Sequence, residues 1–282
     1  MVSSSLVSCD WLEEHLGAPD LVVLDCSWYL PDMGRDARAE YATAHIPGAI
    51  FFDIDAHSDK TTDLPHMLPT ADAFQKAMQE MGIGDGKTVV VYDGMGMFSA
   101  ARVWWTLKLF GLDDVFVLNG GLPKWKAENR PLTADVKTYQ PAHFTIRFNH
   151  AMVRTLAQVQ EALEDAGTVV LDARSAERFA GSAPEPRPGV RAGHMKGAKN
   201  LPFGQVLNAD GTFKSNEELA AVFAGKDITP NTQVVTSCGS GVTASILALA
   251  LSEIGHHKAA VYDGSWSEWG SSPLTEVVTG AE

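Results

Sequence analysis

The chain has 282 residues, 45% of them hydrophobic and 20% charged, a balance that suits a globular protein of two ordinary domains. Its formal net charge of −13 argues against a nucleic-acid partner and means that an anionic substrate would need local arginines. Three cysteines, Cys9, Cys26 and Cys238, cannot make a paired disulfide framework and suit a reducing, cytoplasmic setting.

No apolar run is long enough to span a bilayer, so no membrane partner is expected. The opening MVSSSLVSCDWLEEHL lacks the basic and long apolar regions of a secretory signal. Ser8 or Asp10 can cap a helix over Trp11 to Leu16. Val22-Val23-Leu24-Asp25 reads as a buried strand ending in aspartate. A polar loop follows, then His45-Ile46-Pro47-Gly48-Ala49 and a short strand at Ile50-Phe51-Phe52. Pro65-His66-Met67-Leu68-Pro69 precedes a helix from Ala71 to Met81. The strand Val89-Val90-Val91-Tyr92-Asp93 leads through Met95-Gly96-Met97-Phe98 into another helix. A last strand, Val115 to Leu118, ends in the turn Asn119-Gly120-Gly121. From roughly Lys126 to Met152 there is little periodicity, and the prolines of Asn129-Arg130-Pro131 and Gln140-Pro141 mark a connector running back across the first half.

The same order then returns. Thr155 caps Leu156 to Leu163, and Val169-Val170-Leu171-Asp172 repeats the aspartate strand. His194-Met195-Lys196-Gly197-Ala198 repeats the turn, Asn200-Leu201 the short strand, and Asn216 to Phe223 the helix. Val234-Val235-Thr236-Ser237-Cys238 stands where Val89 to Asp93 stood, and Asp263-Gly264-Ser265 with Trp269 repeats Asn119-Gly120-Gly121 with Trp125. Four matches, at offsets of 144 to 149 residues, indicate two copies of one domain. We place the copies at 1–138 and 152–282, with 139–151 as linker. Strands alternating with helices predict an α/β fold, each copy a mainly parallel sheet with helices on both faces and a site at the carboxyl ends of its strands.

The second copy carries the chemistry there. Cys238-Gly239-Ser240-Gly241-Val242-Thr243 joins a strand to the helix-forming run Ala244 to Leu251. A sulfur at a strand end, above backbone N–H groups and a helix N-terminus, sits where a thiolate is favoured. An inert cysteine beside a turn would not need glycines on both sides of Ser240. The first copy has Asp93 at this place, which cannot do thiol chemistry, so it is not a second site of the same kind. It can still supply groups across the interface, and Pro65 to Pro69 has no clear counterpart near Leu207 to Phe213.

These motifs, together with Glu185-Pro186-Arg187 and Asp263-Gly264-Ser265-Trp266-Ser267-Glu268-Trp269, resemble those of the tandem-rhodanese sulfurtransferases over nearly the whole chain. The loop Cys238 to Thr243 is similar to that of the members that use 3-mercaptopyruvate. Thiosulfate-using members carry basic residues where this chain has Gly239 and Ser240. The resemblance implies two rhodanese-like domains and a two-step exchange without metal or cofactor. The Cys238 thiolate takes sulfur from 3-mercaptopyruvate, leaving pyruvate and a persulfide, and a thiol, thioredoxin or cyanide removes it. Backbone N–H groups of Gly239, Gly241, Val242 and Thr243 would cradle the sulfur anions. Arg178 and Arg187 would hold the substrate carboxylate, with Arg191 the weaker candidate. Ser240, His66 and Asp55 would form a proton relay, two of them lent by the first copy, with the histidine titrating near neutral pH.

Other residues read as scaffold: Asp25 and Asp172 bonding loop amides, His45 and His194 fixing turns, and Trp104, Trp105, Trp266 and Trp269 building core. Cys9 and Cys26 are expected to be inert. Two rival readings are a thiosulfate sulfurtransferase and a non-catalytic persulfide carrier. A cysteine phosphatase would need Cys-x5-Arg, and the residue at the arginine position is Ala244.

Overall fold

The computed structural model describes residues 4–281. Residues 1–3, which begin the opening segment and the first expected domain, and residue 282, which ends the second, lie outside the described residues. The first half runs β1 (Leu6–Val7), α1 (Cys9–His15), β2 (Leu21–Asp25), α2 (Ala37–Thr43), β3 (Ala49–Phe51), α3 (Ala71–Glu80), β4 (Thr88–Tyr92), α4 (Ala100–Leu109), β5 (Val115–Leu118) and α5 (Gly121–Ala127). The second repeats it: β6 (Val153–Arg154), α6 (Leu156–Glu164), β7 (Thr168–Asp172), α7 (Ala176–Ala180), β8 (Lys199–Asn200), α8 (Asn216–Ala224), β9 (Gln233–Ser237), α9 (Ala244–Glu253), β10 (Ala259–Tyr262) and α10 (Ser265–Trp269).

The two five-stranded sheets have the same order, β1-β5-β4-β2-β3 and β6-β10-β9-β7-β8, and their strand pairs are parallel. Helices on both faces explain why β2 and β4 read as unbroken Val/Leu runs rather than as alternation. Local chemistry sets the helix starts. Ser8 accepts the Trp11 N–H, while Asp10 lies inside α1 and pairs with Arg130. Thr155 and Gln158 close a capping box on α6. The two-residue strands β1 and β6, and the short helices α2, α5, α7 and α10, are too brief to leave a readable period.

After α5 the chain crosses the first domain. Thr133 bridges to His45, the Tyr139 hydroxyl donates to the Gly48 carbonyl at 2.8 Å, and Arg147 N–H to the Phe110 carbonyl at 3.0 Å. Phe144 is buried there. Residues 139–149, read from the sequence as linker, thus lie packed against the first domain.

The domains meet along α4 and α9. Both helices are apolar almost all round, which is the signature of a helix buried on every side. One apolar cluster runs through both, including Trp104 and Trp105 from the first domain and Ile246, Leu247 and Leu249 from the second. Their N-termini follow β4 and β9, so the two strand-to-helix loops face a common cleft. No helix among the described residues is long and apolar enough to cross a membrane.

Candidate active site

The first domain shows what its strand-to-helix loop is built to do. The Asp93 carboxylate accepts the N–H groups of Met95, Phe98, Ser99 and Ala100 at 2.8–2.9 Å. Gly96, at φ +103°, turns the chain so that these amides converge. The loop is an anion cradle filled by its own carboxylate. Cys238 takes the place of Asp93 in the second domain, and Gly241, at φ +78°, takes that of Gly96. By position the equivalent amides are those of Ser240, Thr243 and Ala244, while the Ser245 N–H donates to the Val242 carbonyl at 3.3 Å; of the expected donors Gly239, Gly241, Val242 and Thr243, only Thr243 stands at an equivalent position.

The segment after β10 holds the cysteine loop from outside. The Cys238 N–H donates to Ser265 Oγ at 3.2 Å, and the Cys238 and Gly239 carbonyls accept the Trp266 and Ser267 N–H groups at 2.9 and 2.8 Å. Ser265 sits at φ +48°, a left-handed conformation uncommon for a residue with a side chain. Its hydroxyl also donates to the Tyr262 carbonyl.

Cys238 is free and buried, and it lines a cavity of 170 Å³. Arg178, Arg187, Phe203, Val242 and Thr243 line it from the second domain, and Trp28, Leu30 and Phe98 from the first. Larger concavities of 380 and 720 Å³ lie elsewhere, and neither contains Cys238, Arg178 or Arg187.

The two arginines differ. Arg178 is engaged by Glu185, with Nη2 at 2.5 Å and Nε at 3.2 Å, and Glu185 also accepts Arg174 Nη1 at 2.8 Å. Arg187 is half-buried and has no hydrogen-bond or ion-pair partner among the described residues. Burial pulls its guanidinium down from the ordinary value, and the nearby Cys238 opposes that. An unpaired cation in a cavity calls for an anion. A Cβ on Gly239 would stand 3.2 Å from Arg178 Nη2 and 4.0 Å from Arg187 Nη1, so glycine lets both guanidinium groups reach the loop. Arg191 instead donates to the carbonyls of Trp269, Gly270, Ser272 and Thr275, and it does not line the cavity.

Ser240, His66 and Asp55 meet. His66 Nδ1 lies 2.9 Å from Ser240 Oγ, and Nε2 lies 3.1 Å from Asp55 Oδ1. Trp28 Nε1 donates to Asp55 Oδ2 at 2.9 Å and places its ring edge-on to the imidazole. The hydrogen bond from His66 holds the Asp55 carboxyl below its ordinary value, so Asp55 is ionised. Nε2 therefore carries the imidazole proton, and Nδ1 is left to accept the Ser240 hydroxyl. Burial pushes the His66 pKa below the ordinary 6.5, against the pull of Asp55. Burial penalises the charged ring more than the Asp55 carboxylate supports it, which favours the neutral form.

The His66 loop also has a counterpart, which the sequence does not reveal. Residues 207–213 form a bridged turn that reaches the Asp93 loop of the first domain, and a Cβ on Gly96 would stand 3.8 Å from the Gly211 Cα. Each domain thus lays one loop over the other's cradle. Gly211, at φ +78°, stands where His66 stands at φ +60°.

The residues read as scaffold sit in such contacts. Asp25 accepts the Ser27 N–H and Asp172 the Arg174 N–H. His45 and His194 bond the Tyr41 and Phe179 carbonyls through Nδ1. Burial raises the Cys9 thiol to about 11 and the Cys26 thiol well up, so neither is a thiolate at neutral pH. Sequence reasoning missed Trp28, Glu185 and Ser265. Their partners lie far along the chain or on a short helix, and only the motifs around Glu185 and Ser265 offered any signal. No group of histidine, cysteine and carboxylate side chains among the described residues is arranged to hold a metal.

Comparison with known proteins adds the family. The model of the rhodanese-like domain matches residues 8–128 and 155–272. Thiosulfate/3-mercaptopyruvate sulfurtransferase 1 of Arabidopsis thaliana, a mitochondrial protein, is 44% identical over 96% of this chain and 77% of its own. The 3-mercaptopyruvate sulfurtransferase of Homo sapiens is 43% identical over 94% of this chain and 91% of its own. The crystal structure of SseA from Escherichia coli, a 3-mercaptopyruvate sulfotransferase, aligns with a TM-score of 0.85 at 37% identity, covering 94% of this chain and 99% of its own.

Proposed function

The chain belongs to the rhodanese-like family, and from that membership we propose that it is a sulfurtransferase that takes sulfur from 3-mercaptopyruvate. The observation that carries the reading is a convergence in one interdomain cavity. Cys238 and Ser240 line it with Arg187, whose guanidinium has no partner among the described residues, and Ser240 leads through its hydrogen bond to His66 and Asp55.

Arg187, assisted by Arg178, binds the substrate carboxylate and brings the substrate sulfur to Cys238. The Cys238 thiolate attacks that sulfur. The new S–S bond forms as the substrate C–S bond breaks, and the electron pair of that bond stays on carbon as the pyruvate enolate. The proton of the substrate thiol passes to the enolate carbon through Ser240, whose hydroxyl is held by neutral His66. The products are pyruvate and a Cys238 persulfide anion, which the loop amides stabilise. A thiol, thioredoxin or cyanide then attacks the outer sulfur and returns the Cys238 thiolate. The acceptor and a cytoplasmic setting are part of the proposal. Reduced thiols there would serve the second step, and buried Cys9 and Cys26 need no oxidising compartment.

A second reading, thiosulfate as donor, is favoured by relatives whose names include it, among them a thiosulfate sulfurtransferase of Bos taurus at 42% identity. Gly239 and Ser240 add no positive charge after Cys238 to hold the sulfonate group of thiosulfate. The deciding experiment is sulfide and pyruvate release from 3-mercaptopyruvate with dithiothreitol or thioredoxin, run beside thiosulfate with cyanide. Faster turnover of thiosulfate would reverse the assignment.

A further inference from the structure

The His66 loop is held by a buried ion pair that joins the domains. Arg102, on α4, donates through Nη2 to the His66 carbonyl and to Asp263 Oδ1, each at 2.6 Å. Asp263 Oδ2 accepts the Leu68 N–H at 2.9 Å. The backbone of the loop is therefore gripped at His66 and again two residues on. Arg102 also touches the other side of the site: a Cβ on Gly241 would stand 2.7 Å from its Nη1. Asp263 opens the segment whose Ser265 hydroxyl accepts the Cys238 N–H. Both side chains are buried, with Arg102 only 3% exposed.

The molecule contains its own control. On the other side of the approximate symmetry, the turn at residues 207–213 docks on the first domain through a neutral bond, Phe213 N–H to Asn119 Oδ1 at 2.9 Å, and a long, solvent-exposed ion pair, Asp210 to Lys124 at 3.9 Å. Asn119 stands where Asp263 stands, Leu247 where Arg102 stands, and Gly211 where His66 stands. Docking such a loop does not need a buried ion pair. The buried pair occurs on the side where the loop carries a histidine in a left-handed conformation, which is unfavourable for a side chain.

We propose that Arg102 and Asp263 are positioning residues: their ion pair fixes the His66 backbone against the Cys238 loop and so sets the His66–Ser240 hydrogen bond. The inference rests on the relay reading of His66. Without the pair the loop docks as its counterpart does, and the imidazole loses its register with Ser240.

The test uses Arg102→Leu/Asp263→Asn, which installs the residues of the other half and leaves no buried charge uncompensated. Pyruvate formation in a single turnover is measured for this variant, for His66→Ala and for the triple variant, each with a melting curve. The brace variant should slow sulfur abstraction by roughly ten- to a hundredfold, the effect of a small misplacement, with little change in the half-saturating 3-mercaptopyruvate concentration. In the His66→Ala background the same substitutions should add no more than about twofold, the error of an additive cycle. A full additional loss in that background would overturn the positioning role, as would wild-type rates in the folded brace variant. His66→Ala at wild-type rate would remove the relay reading and the brace with it. Slow His66→Ala with additive brace effects would remove the brace alone. If the double variant does not fold, Arg102→Lys runs the same cycle, because it keeps a buried cation for Asp263 but lacks the guanidinium fork that reaches the His66 carbonyl as well.

Discussion

At the scale of single residues, charge divides the work around Cys238. Cys238→Ser should abolish turnover while leaving the melting midpoint nearly unchanged, because a serine hydroxyl is close in size but does not ionise near neutral pH or accept a sulfur. Mass spectrometry of the wild type after donor treatment should find one added sulfur on the peptide holding Cys238, and label confined to Cys9 or Cys26 would sink the assignment. Arg187→Ala should lower kcat/KM for 3-mercaptopyruvate by about ten- to a hundredfold, since a charge-assisted hydrogen bond contributes roughly 1.5–3 kcal/mol. A donor without a carboxylate should lose much less. Arg178→Ala should act more weakly on KM and more on stability, because Arg178 already serves Glu185. Equal losses with both donors would mean that the arginines hold the loop instead.

His66 makes a pH prediction whose sign follows from its environment. Its folded pKa lies below the ordinary 6.5, so the neutral ring that accepts the Ser240 proton persists to lower pH than a free imidazole would. The acid limb of sulfur abstraction should therefore be centred below 6.5. His66→Ala should lose that limb and run roughly a hundred- to ten-thousandfold slower, or less where Ser240 or water substitutes. Stability linked to the ring has the same direction: full above the unfolded value, and declining as pH falls toward the folded one. A wild-type limb centred above 6.5 would contradict this account.

At the scale of elements, the strand-to-helix loop is the working part, and Gly241 is the residue that lets it turn. Gly241→Ala forces a side chain into φ +78° and against Arg102. It should destabilise by roughly 1–2 kcal/mol and slow sulfur transfer at the same time, read from a melting curve and a single-turnover rate. Thr155→Ala, which removes a capping box on α6, a helix that lines no part of the Cys238 cavity, should lower stability by about 1 kcal/mol and leave the rate unchanged. If both variants lost activity in proportion to stability, the loop geometry would have no special role. The elements legible in the sequence are those with several buried apolar residues in a row, such as β2, β4, β7 and β9. The short helix α7 was not legible, although it carries Arg178, because five residues cannot show a helical period.

For the molecule as a whole, α4 and α9 make one shared core out of two domains. Calorimetry should therefore find a single cooperative unfolding transition. Trp104→Ala, which empties a buried position in that seam, should shift the transition down by the equivalent of about 3–5 kcal/mol without splitting it. Two separate transitions in the wild type would show that the domains fold independently and meet weakly.

The amino-acid sequence by itself determined the duplicated α/β plan, the order of the main strands and helices, the single cysteine on a glycine-rich loop and the family. Those depend on local pattern: buried runs, caps, turns and a repeat at nearly constant offset. It also named Ser240, His66 and Asp55 through resemblance, but their meeting is a property of the tertiary structure alone. Residues 66 and 240 come within hydrogen-bond distance where α4 and α9 pack against each other and bring the first domain's loop onto the second domain's cradle. The same packing decided that Arg187 has no partner among the described residues while Arg178 has one, that His66 is held below its ordinary pKa, and that Arg102 finds Asp263 across the seam. Burial and long-range pairing are set by which surfaces meet, and no window of sequence contains both sides of that contact.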